Sequence, residues 1–263
     1  MARITNTFTP QNTIIERLNP ITKILAIFCF GLAGMIFPNS LLSLFIIIFL
    51  FVIAYIAKLF KDFTKIMFGF GIPISVMLFF IQGFYSPKNV TFILDCGFAK
   101  LGLEGILYSA KIVSTLLVFL GTFYIMNKTT YTGKLVSALT AIGFPAKAGY
   151  LVLASLNVVP QMQRRMSIIR EAQSARGLET GGGIIARIKA YIPLLGPVVM
   201  SSLTDAQERG MTLETRGFGI KGIHQTNIVE VVDTPIDKIV KILLVTFLVV
   251  VIILTALIKM NVL

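Results

Sequence analysis

The feature that most constrains this chain is a series of five long apolar runs. They lie at about residues 21–37, 41–57, 66–84, 105–126 and 236–258. A helix of about 20 apolar residues crosses the hydrocarbon core of a bilayer, and each run has about that length. Hydrophobic residues make up 56% of the chain and charged residues only 14%, which excludes an ordinary soluble domain. The sequence therefore predicts an all-α membrane protein with about five transmembrane helices.

The charges between the runs orient them. Lys58, Lys61 and Lys65 follow the second run, whereas the connection after the first run (FPNS) has no charge. Because basic residues collect on the cytoplasmic side, the N-terminus is predicted to be cytoplasmic and the C-terminus external. The net charge of +12 then reflects topology and contact with anionic membrane lipid, so no nucleic acid is expected as a partner. We expect a multi-pass protein of the cell membrane.

Three segments follow from this topology. Residues 1–126 hold the N-terminal cytoplasmic segment and transmembrane helices 1–4, residues 127–235 form a cytoplasmic domain, and residues 236–263 hold the C-terminal transmembrane helix. A connection of about a hundred residues is too long for a structureless loop. Because proline is favoured at helix starts and glycine just after helix ends, the middle segment is predicted to contain four helices. The first reads YTGKLVSALTAIG, and the others begin after Pro145, Pro160 and Pro197.

Two of these four helices carry apolar stripes at helical spacing. In the last helix the stripe is Val199, Leu203, Ala206, Gly210 and Leu213. In the helix after Pro160 it is Met162, Met166, Ile169 and Ala172. Small residues let a second helix approach closely. We therefore expect the two amphipathic helices to cross and pack together, with Ala206 and Gly210 at the crossing.

The same two helices each end in an Arg-Gly pair, Arg176-Gly177 and Arg216-Gly217. The unpaired carbonyls and the dipole of a helix favour a cation in its last turn, so a C-terminal cap explains one such arginine. Two copies favour a second interpretation. A guanidinium at a rigid helix tip can offer parallel donors to a partner's carboxylate, which lysine cannot reproduce. The two helix tips would then bind two acidic pockets on partner proteins.

Three stretches resemble one family, the transmembrane T component (EcfT or CbiQ-like) of energy-coupling factor (ECF) transporters, a branch of the ABC transporters. VPQMQRRMSIIREAQSARG is similar to the first coupling-helix signature, at Pro160, Ile169, Ala172, Gln173, Ala175, Arg176 and Gly177. DAQERGMTLETRGFG is similar to the second, at Ala206, Glu214, Arg216, Gly217 and Phe218. RLNPITKIL resembles the N-terminal Leu-Asp-Pro-Arg-Thr-Lys block, at Leu18, Pro20, Thr22 and Lys23.

The chain departs from the family pattern at seven positions. Asn19 and Ile21 replace the usual Asp and Arg of the N-terminal block. Arg165 stands where an acidic residue is common, and Asp205 stands where a basic residue is common. In the second signature the substituted positions are Thr212, Leu213 and Thr215. Both Arg-Gly pairs are intact.

The resemblance implies an energy-coupling subunit that is not itself an enzyme. It implies two ABC-type ATPase subunits as partners, each receiving one helix tip, with ATP and Mg bound in those subunits. The ATPase-binding residues would be Ala175, Arg176, Gly177, Thr215, Arg216 and Gly217. A separate S component would capture a vitamin or another micronutrient for uptake. No cofactor or metal is expected on this chain.

Other candidate sites lack the context their chemistry requires. GFGIKG at 217–222 has the spacing GxGxxG, but it follows a predicted helix rather than a strand. The glycines at 181–183 lack the Gly-Lys-Ser/Thr ending of a P-loop. His224, Cys29 and Cys96 form no cluster with metal-ligand spacing.

The alternative function is a self-contained membrane protein, either an ion-coupled carrier or an intramembrane enzyme. Such proteins carry paired ionisable residues or broken helices at the membrane midplane. Gly69, Gly71 and Pro73 interrupt the third run, but no acidic residue accompanies them. Lys111, in the fourth run, is either a functional ionisable residue or a side chain that snorkels to the outer surface.

Overall fold

The five predicted apolar runs are all helical in the computed structural model, which describes residues 13–85, 91–95, 100–177, 184–220 and 233–261. The helices are α1 (Ile14–Arg17), α2 (Pro20–Ile36), α3 (Ser40–Ile56), α4 (Phe60–Tyr85), α5 (Leu103–Thr129), α6 (Thr132–Ala141), α7 (Ala146–Ala175), α8 (Ile184–Thr215) and α9 (Pro235–Asn261). The predicted all-α class is confirmed. The glycines at 181–183, Cys96, residues 221–222 and His224 lie outside the described residues.

Three described helices are long and apolar enough to cross a membrane: Phe60–Phe84, Leu103–Thr129 and Pro235–Met260. The other two apolar helices, α2 and α3, have 17 residues each. The count of five crossings therefore stays a prediction, as do the sides on which the termini lie.

A short antiparallel ribbon between α4 and α5 interrupts the helical pattern. Its strands are β1 (Phe92–Asp95) and β2 (Lys100–Gly102). The Thr91 hydroxyl donates to Glu104 Oε1 at 2.6 Å, and the Leu103 N–H donates to the Thr91 carbonyl at 3.0 Å. The ribbon therefore leads directly into the first turn of α5, where the sequence had predicted only a polar connection.

The described residues divide into two compact units. The coupling unit holds the described residues of Leu139–Glu230, and the membrane unit holds those of Asn6–Ala138 and Val231–Leu263. In the membrane unit, α5 packs against α2, α3 and α4, and α9 packs against α2. The buried core residues are Ala33, Ile46, Leu50, Ala54, Phe63, Met67, Val118, Ile125 and Val251. A Cβ on Gly121 of α5 would lie 3.2 Å from both Leu50 and Phe63, so this glycine permits the close approach of α5 to the core.

The predicted count of four helices between 127 and 235 is wrong, because the described residues there form three before α9 begins. Pro160 lies inside α7, and Pro193 and Pro197 lie inside α8. Proline removes one backbone hydrogen bond and can kink a helix, but a long helix that packs against a neighbour can continue through it. α4 likewise runs through Pro73, so the predicted interruption of the third run is also absent.

Candidate coupling site

The first Arg-Gly pair ends α7. Arg176 is the C-cap residue and is exposed, and its N–H donates to the Gln173 carbonyl at 3.1 Å. Gly177 has φ +91° and donates its N–H to the Ser174 carbonyl at 3.0 Å. A Cβ on Gly177 would meet no atom within 4 Å. Glycine is therefore favoured here by the left-handed backbone of the helix end and not by crowding.

The second Arg-Gly pair ends α8 in a Schellman motif. Gly217 has φ +70° and donates to the Glu214 carbonyl at 2.9 Å, and Phe218 donates to the Leu213 carbonyl at 2.9 Å. This pair of bonds satisfies two of the carbonyls that the end of a helix leaves unpaired. Arg216, in front of this turn, is exposed.

The chain after the second tip folds back onto the start of α7. The Phe218 ring lies 5.2 Å from the Tyr150 ring, centroid to centroid. A Cβ on Gly219, whose φ is +90°, would lie 2.7 Å from Lys147 Cε. The tip of α8 is thus supported by the first turns of α7.

Both arginines are available to a partner. Among the residues that the structure describes, neither the Arg176 nor the Arg216 guanidinium forms an ion pair. Ala175 and Thr215, which precede them, are also exposed, whereas Gly217 is half-buried. The two helix ends can therefore each present one guanidinium with parallel donors to a carboxylate of another protein.

The two helices that carry the tips pack against each other, as predicted, and several of their contacts are polar. The Arg165 guanidinium forms an ion pair with the Asp205 carboxylate and donates to Ser201 Oγ at 2.6 Å. One turn before Arg165, Gln161 Oε1 accepts a hydrogen bond from the Arg209 guanidinium. Residue numbers rise along α7 as they fall along α8, so the contacting segments run antiparallel.

The crossing through Ala206 and Gly210 stays a prediction. Ala206 lines the groove between α7 and α8 together with Met162. A Cβ on Gly210 would meet no atom within 4 Å. Val199 and Leu203, from the same predicted stripe, are 53% and 56% exposed. Polar side chains of α8 also contact α7.

The membrane unit contains a polar cluster that the sequence did not predict, which we call the clasp: Asn19, Thr22, Lys23, Thr129, Thr130, Asp233, Thr234, Asp237 and Lys241. Its centre is Asp237, in the first turn of α9, which is 0% exposed. Asp237 Oδ1 accepts from the Asn19 N–H at 2.8 Å and from the Thr22 hydroxyl at 3.4 Å. Asp237 Oδ2 accepts from the Thr234 N–H at 3.0 Å and from its hydroxyl. The carboxyl group therefore joins the start of α9 to the start of α2.

Lys23 extends the clasp to the end of α5. Its ammonium donates to the Thr129 carbonyl at 2.8 Å and to the hydroxyls of Thr129 and Thr130 at 3.2 and 3.1 Å. A cation is favoured at the C-terminus of a helix, where carbonyls lack partners. Thr22 and Lys23, two matched residues of the N-terminal block, thus tie α2 to α9 and α5. The one local signal for this cluster was the sequence Thr-Pro-Ile-Asp at 234–237, which is typical of a capped helix start.

Asn19 links the clasp to Asp233, which precedes α9. The Asn19 amide Oδ1 accepts from the Ile21 N–H at 3.0 Å, and its Nδ2 donates to Asp233 Oδ1 at 2.6 Å. Lys241 Nζ donates to both oxygens of Asp233, at 2.9 and 2.8 Å. The hydrogen bond from Lys241, more than any other contact, lowers the pKa of Asp233 below its usual value. An amide suits position 19 because it can donate to this carboxylate.

Two residues that the sequence analysis considered, Lys111 and Cys29, lie within membrane-unit helices. Lys111 is half-buried in α5, and its carbonyl accepts hydrogen bonds from the hydroxyls of Ser114 and Thr115 at 3.0 and 2.9 Å. Among the described residues, no group of three His, Cys, Asp or Glu side chains could hold a metal ion. Cys29 is buried in α2.

Known proteins of one family match this chain over most of its length. The CbiQ family model, described as a cobalt transport protein, matches residues 11–228. The chain is 27% identical over 222 residues to the energy-coupling factor transporter transmembrane protein EcfT of Bacillus subtilis (strain 168), a match that covers 80% of this chain and 83% of the relative.

Two further relatives carry the same description. The chain is 29% identical over 225 residues to EcfT of Streptococcus equi subsp. equi (strain 4047), covering 80% of this chain and 81% of the relative. It is 25% identical over 223 residues to EcfT of Lactococcus lactis subsp. cremoris (strain MG1363), covering 80% and 82%. These matches span both units of the structure.

Proposed function

The chain belongs to the CbiQ family, the transmembrane T components of energy-coupling factor transporters, and from this premise we propose that it couples two ATPase subunits to micronutrient uptake. The two ABC-type ATPases bind ATP and Mg and carry out the hydrolysis. A separate S component captures the vitamin or other micronutrient. This chain is the non-catalytic scaffold that joins them in the cell membrane.

The observation that carries the proposal is the pair of exposed Arg-Gly tips on two helices that pack together. Each guanidinium docks on a carboxylate in a groove of one ATPase subunit, and the neighbouring Ala175 and Thr215 line the contact. Removal of a guanidinium from such a contact leaves the partner's carboxylate unpaired, at a cost of about 2–5 kcal/mol per site. Two tips account for two ATPase subunits.

The proposal requires the coupling unit to lie on the cytoplasmic side, where ATP is available. With the N-terminus cytoplasmic and the C-terminus external, five crossings leave the tips in the cytoplasm. Closure of the ATPases on ATP then moves the tips, and α7 and α8 carry the motion toward the membrane unit and the S component.

Affinity purification of the tagged chain from its native membrane in mild detergent, followed by mass spectrometry, tests this function. Wild type is expected to retain ABC-type ATPases and a small hydrophobic protein, and Arg176→Ala/Arg216→Ala is expected to lose the ATPases. Arg164→Ala/Arg170→Ala is the matched control, since it removes two other exposed arginines from α7 and should retain them. Equal ATPase recovery from the tip variant and wild type, with unchanged transport, would contradict the proposal.

The lysine variant Arg176→Lys/Arg216→Lys separates charge from geometry. It keeps both positive charges but loses the planar fork of donors, so we expect ATPase recovery well below wild type. Full recovery would mean that the tips act only as point charges.

A further inference from the structure

We propose that the Arg165–Asp205 ion pair is the pivot of the two tip-bearing helices and fixes the separation of the Arg-Gly tips. The meaning of that separation for ATPase binding rests on the proposed function. The separation itself is a property of this chain alone.

The ion pair lies at equal distances along the chain from the two tips. Arg165 lies eleven residues before Arg176, and Asp205 lies eleven residues before Arg216. At a rise of 1.5 Å per residue, each tip is about 16 Å from the ion pair along its helix. Because the contacting segments are antiparallel, the tips extend in opposite directions and lie up to about 33 Å apart along the helix axes. The pair thus stands at the midpoint between the tips.

The ion pair also selects the register of α7 against α8. On α8, Ser201, Asp205 and Arg209 follow one another at intervals of one turn, and Arg165 contacts the first two. A slip of one turn in one direction would place Arg165 between Asp205 and Arg209, where it meets a second guanidinium. A slip in the other direction would leave Arg165 against Ser201 without a carboxylate. Like charges at an interface disfavour the wrong arrangement, so the pair selects one register.

The contact with the most demanding geometry at this crossing is the guanidinium of Arg165. Val158 and Met162 line the groove beside it, and apolar contacts do not require one exact orientation. The planar guanidinium binds Asp205 and Ser201 together, and its donors have fixed directions. The angle and register of the crossing therefore depend on Arg165.

Distance measurement by double electron–electron resonance on the full-length chain in nanodiscs tests the pivot without any ATPase. The background carries Cys29→Ala and Cys96→Ser, and spin labels are attached at Ser174→Cys and Glu214→Cys. Both label positions are exposed and lie nine residues beyond the pair. They are expected to give one distance peak, about 27 Å apart along the helix axes before the label arms are added.

Charge variants supply the test. Arg165→Glu or Asp205→Arg alone places like charges together and should shift the peak by about 5 Å, one helical turn, or broaden it to at least twice its width. Arg165→Glu/Asp205→Arg should return the wild-type distribution. Unchanged distances in the single variants, or a double variant as perturbed as either single one, would overturn the proposal.

Neutral variants keep the test decisive if a single charge reversal prevents folding. Arg165→Gln and Asp205→Asn remove the attraction without adding repulsion, and each should broaden the distribution while the exchanged pair does not. The same set in the copurification assay separates the two proposals. If the distances change but ATPase recovery does not, the proposed role of the tips in ATPase binding is contradicted. The proposal that the ion pair fixes the tip separation would then still hold.

Discussion

The membrane unit and the coupling unit both fix their helices through polar contacts, but with different degrees of burial. At the clasp, Asp237 is 0% exposed and Lys23 is 7% exposed, and each has several hydrogen-bonding partners. At the crossing of α7 and α8, the side chains of Arg165 and Asp205 remain 31% and 29% exposed. Water can replace a partner at the crossing, whereas it cannot readily do so at the clasp.

Contacts that fix the positions of helices therefore need not contribute equally to the free energy of unfolding. A buried polar group that loses its partner keeps its full desolvation penalty, so the clasp resists rearrangement. A partly exposed ion pair contributes little to the free energy of unfolding, even where it selects one register. We therefore expect truncation of a side chain to destabilise the chain more at the clasp than at the crossing.

The largest expected effect is the loss of the central carboxyl group of the clasp. Asp237→Ala removes the acceptor for the Asn19 and Thr234 N–H groups and should lower the free energy of unfolding by about 2–4 kcal/mol. Thermal unfolding of the detergent-solubilised chain, followed by circular dichroism, measures it. Asp62→Ala is the control, since Asp62 is an exposed carboxyl group in the first turn of α4. Equal unfolding temperatures for both variants would show that the clasp does not stabilise the chain.

A smaller effect is expected when Asn19 is replaced by the residue usual in the family. Asn19→Asp would place a carboxylate against Asp233, whose oxygen lies 2.6 Å from the present amide nitrogen. We expect a loss of about 1–2 kcal/mol at neutral pH, because a hydrogen bond to a charged group is replaced by repulsion. Adding Asp233→Asn should recover most of it in a double-mutant cycle. A stabilised Asn19→Asp variant would contradict this account of position 19.

Truncation of a side chain at the crossing of α7 and α8 should lower the free energy of unfolding less than truncation at the clasp. Arg165→Ala is expected to lower the free energy of unfolding by no more than about 1 kcal/mol, because its ion pair is partly solvated. The same thermal unfolding measurement applies, with Asp237→Ala as the reference. If Arg165→Ala lowered the free energy of unfolding as much as Asp237→Ala, the clasp and the crossing would not differ in their contribution to stability.

The smallest expected effect is a dependence on pH from Asp233. Its pKa is lower in the folded chain, so its contribution to stability is present above the unfolded pKa of about 4 and is lost as the pH falls through the folded value. Wild type should therefore lose slightly more thermal stability than Asp233→Asn between neutral pH and about pH 3. Identical pH profiles would mean that the contact with Lys241 contributes nothing.

Local signals explain most of what the sequence predicted. The runs at 21–37 and 41–57 correspond within one residue to α2 and α3, because both begin after an asparagine cap and consist almost wholly of apolar residues. The ends of α7 and α8 at Gly177 and Gly217 follow from the ability of glycine to adopt positive φ. By contrast, α4 begins at Phe60, six residues before the predicted 66, because helical hydrogen bonding continues through Lys61, Asp62 and Lys65.

The remaining features depend on residues that are far apart in the sequence. Asn19 meets Asp233 and Arg165 meets Asp205 only after the chain has folded. Hydrophobic periodicity carries no information on such pairs, because both partners are polar. The preference of proline for helix starts was also an insufficient guide. Pro160 and Pro197 lie inside α7 and α8, because packing supports these long helices.

Site-specific photocrosslinking in native membranes tests whether the two Arg-Gly tips contact ATPase subunits. A photoreactive amino acid is introduced at Ala175 or Thr215, beside each tip arginine, and at Leu44, an exposed residue of α3, as the control. The account predicts that both tip positions crosslink to ABC-type ATPase subunits and that Leu44 does not. Absence of ATPase crosslinks from both tips, with intact complexes recovered from the same membranes, would contradict it.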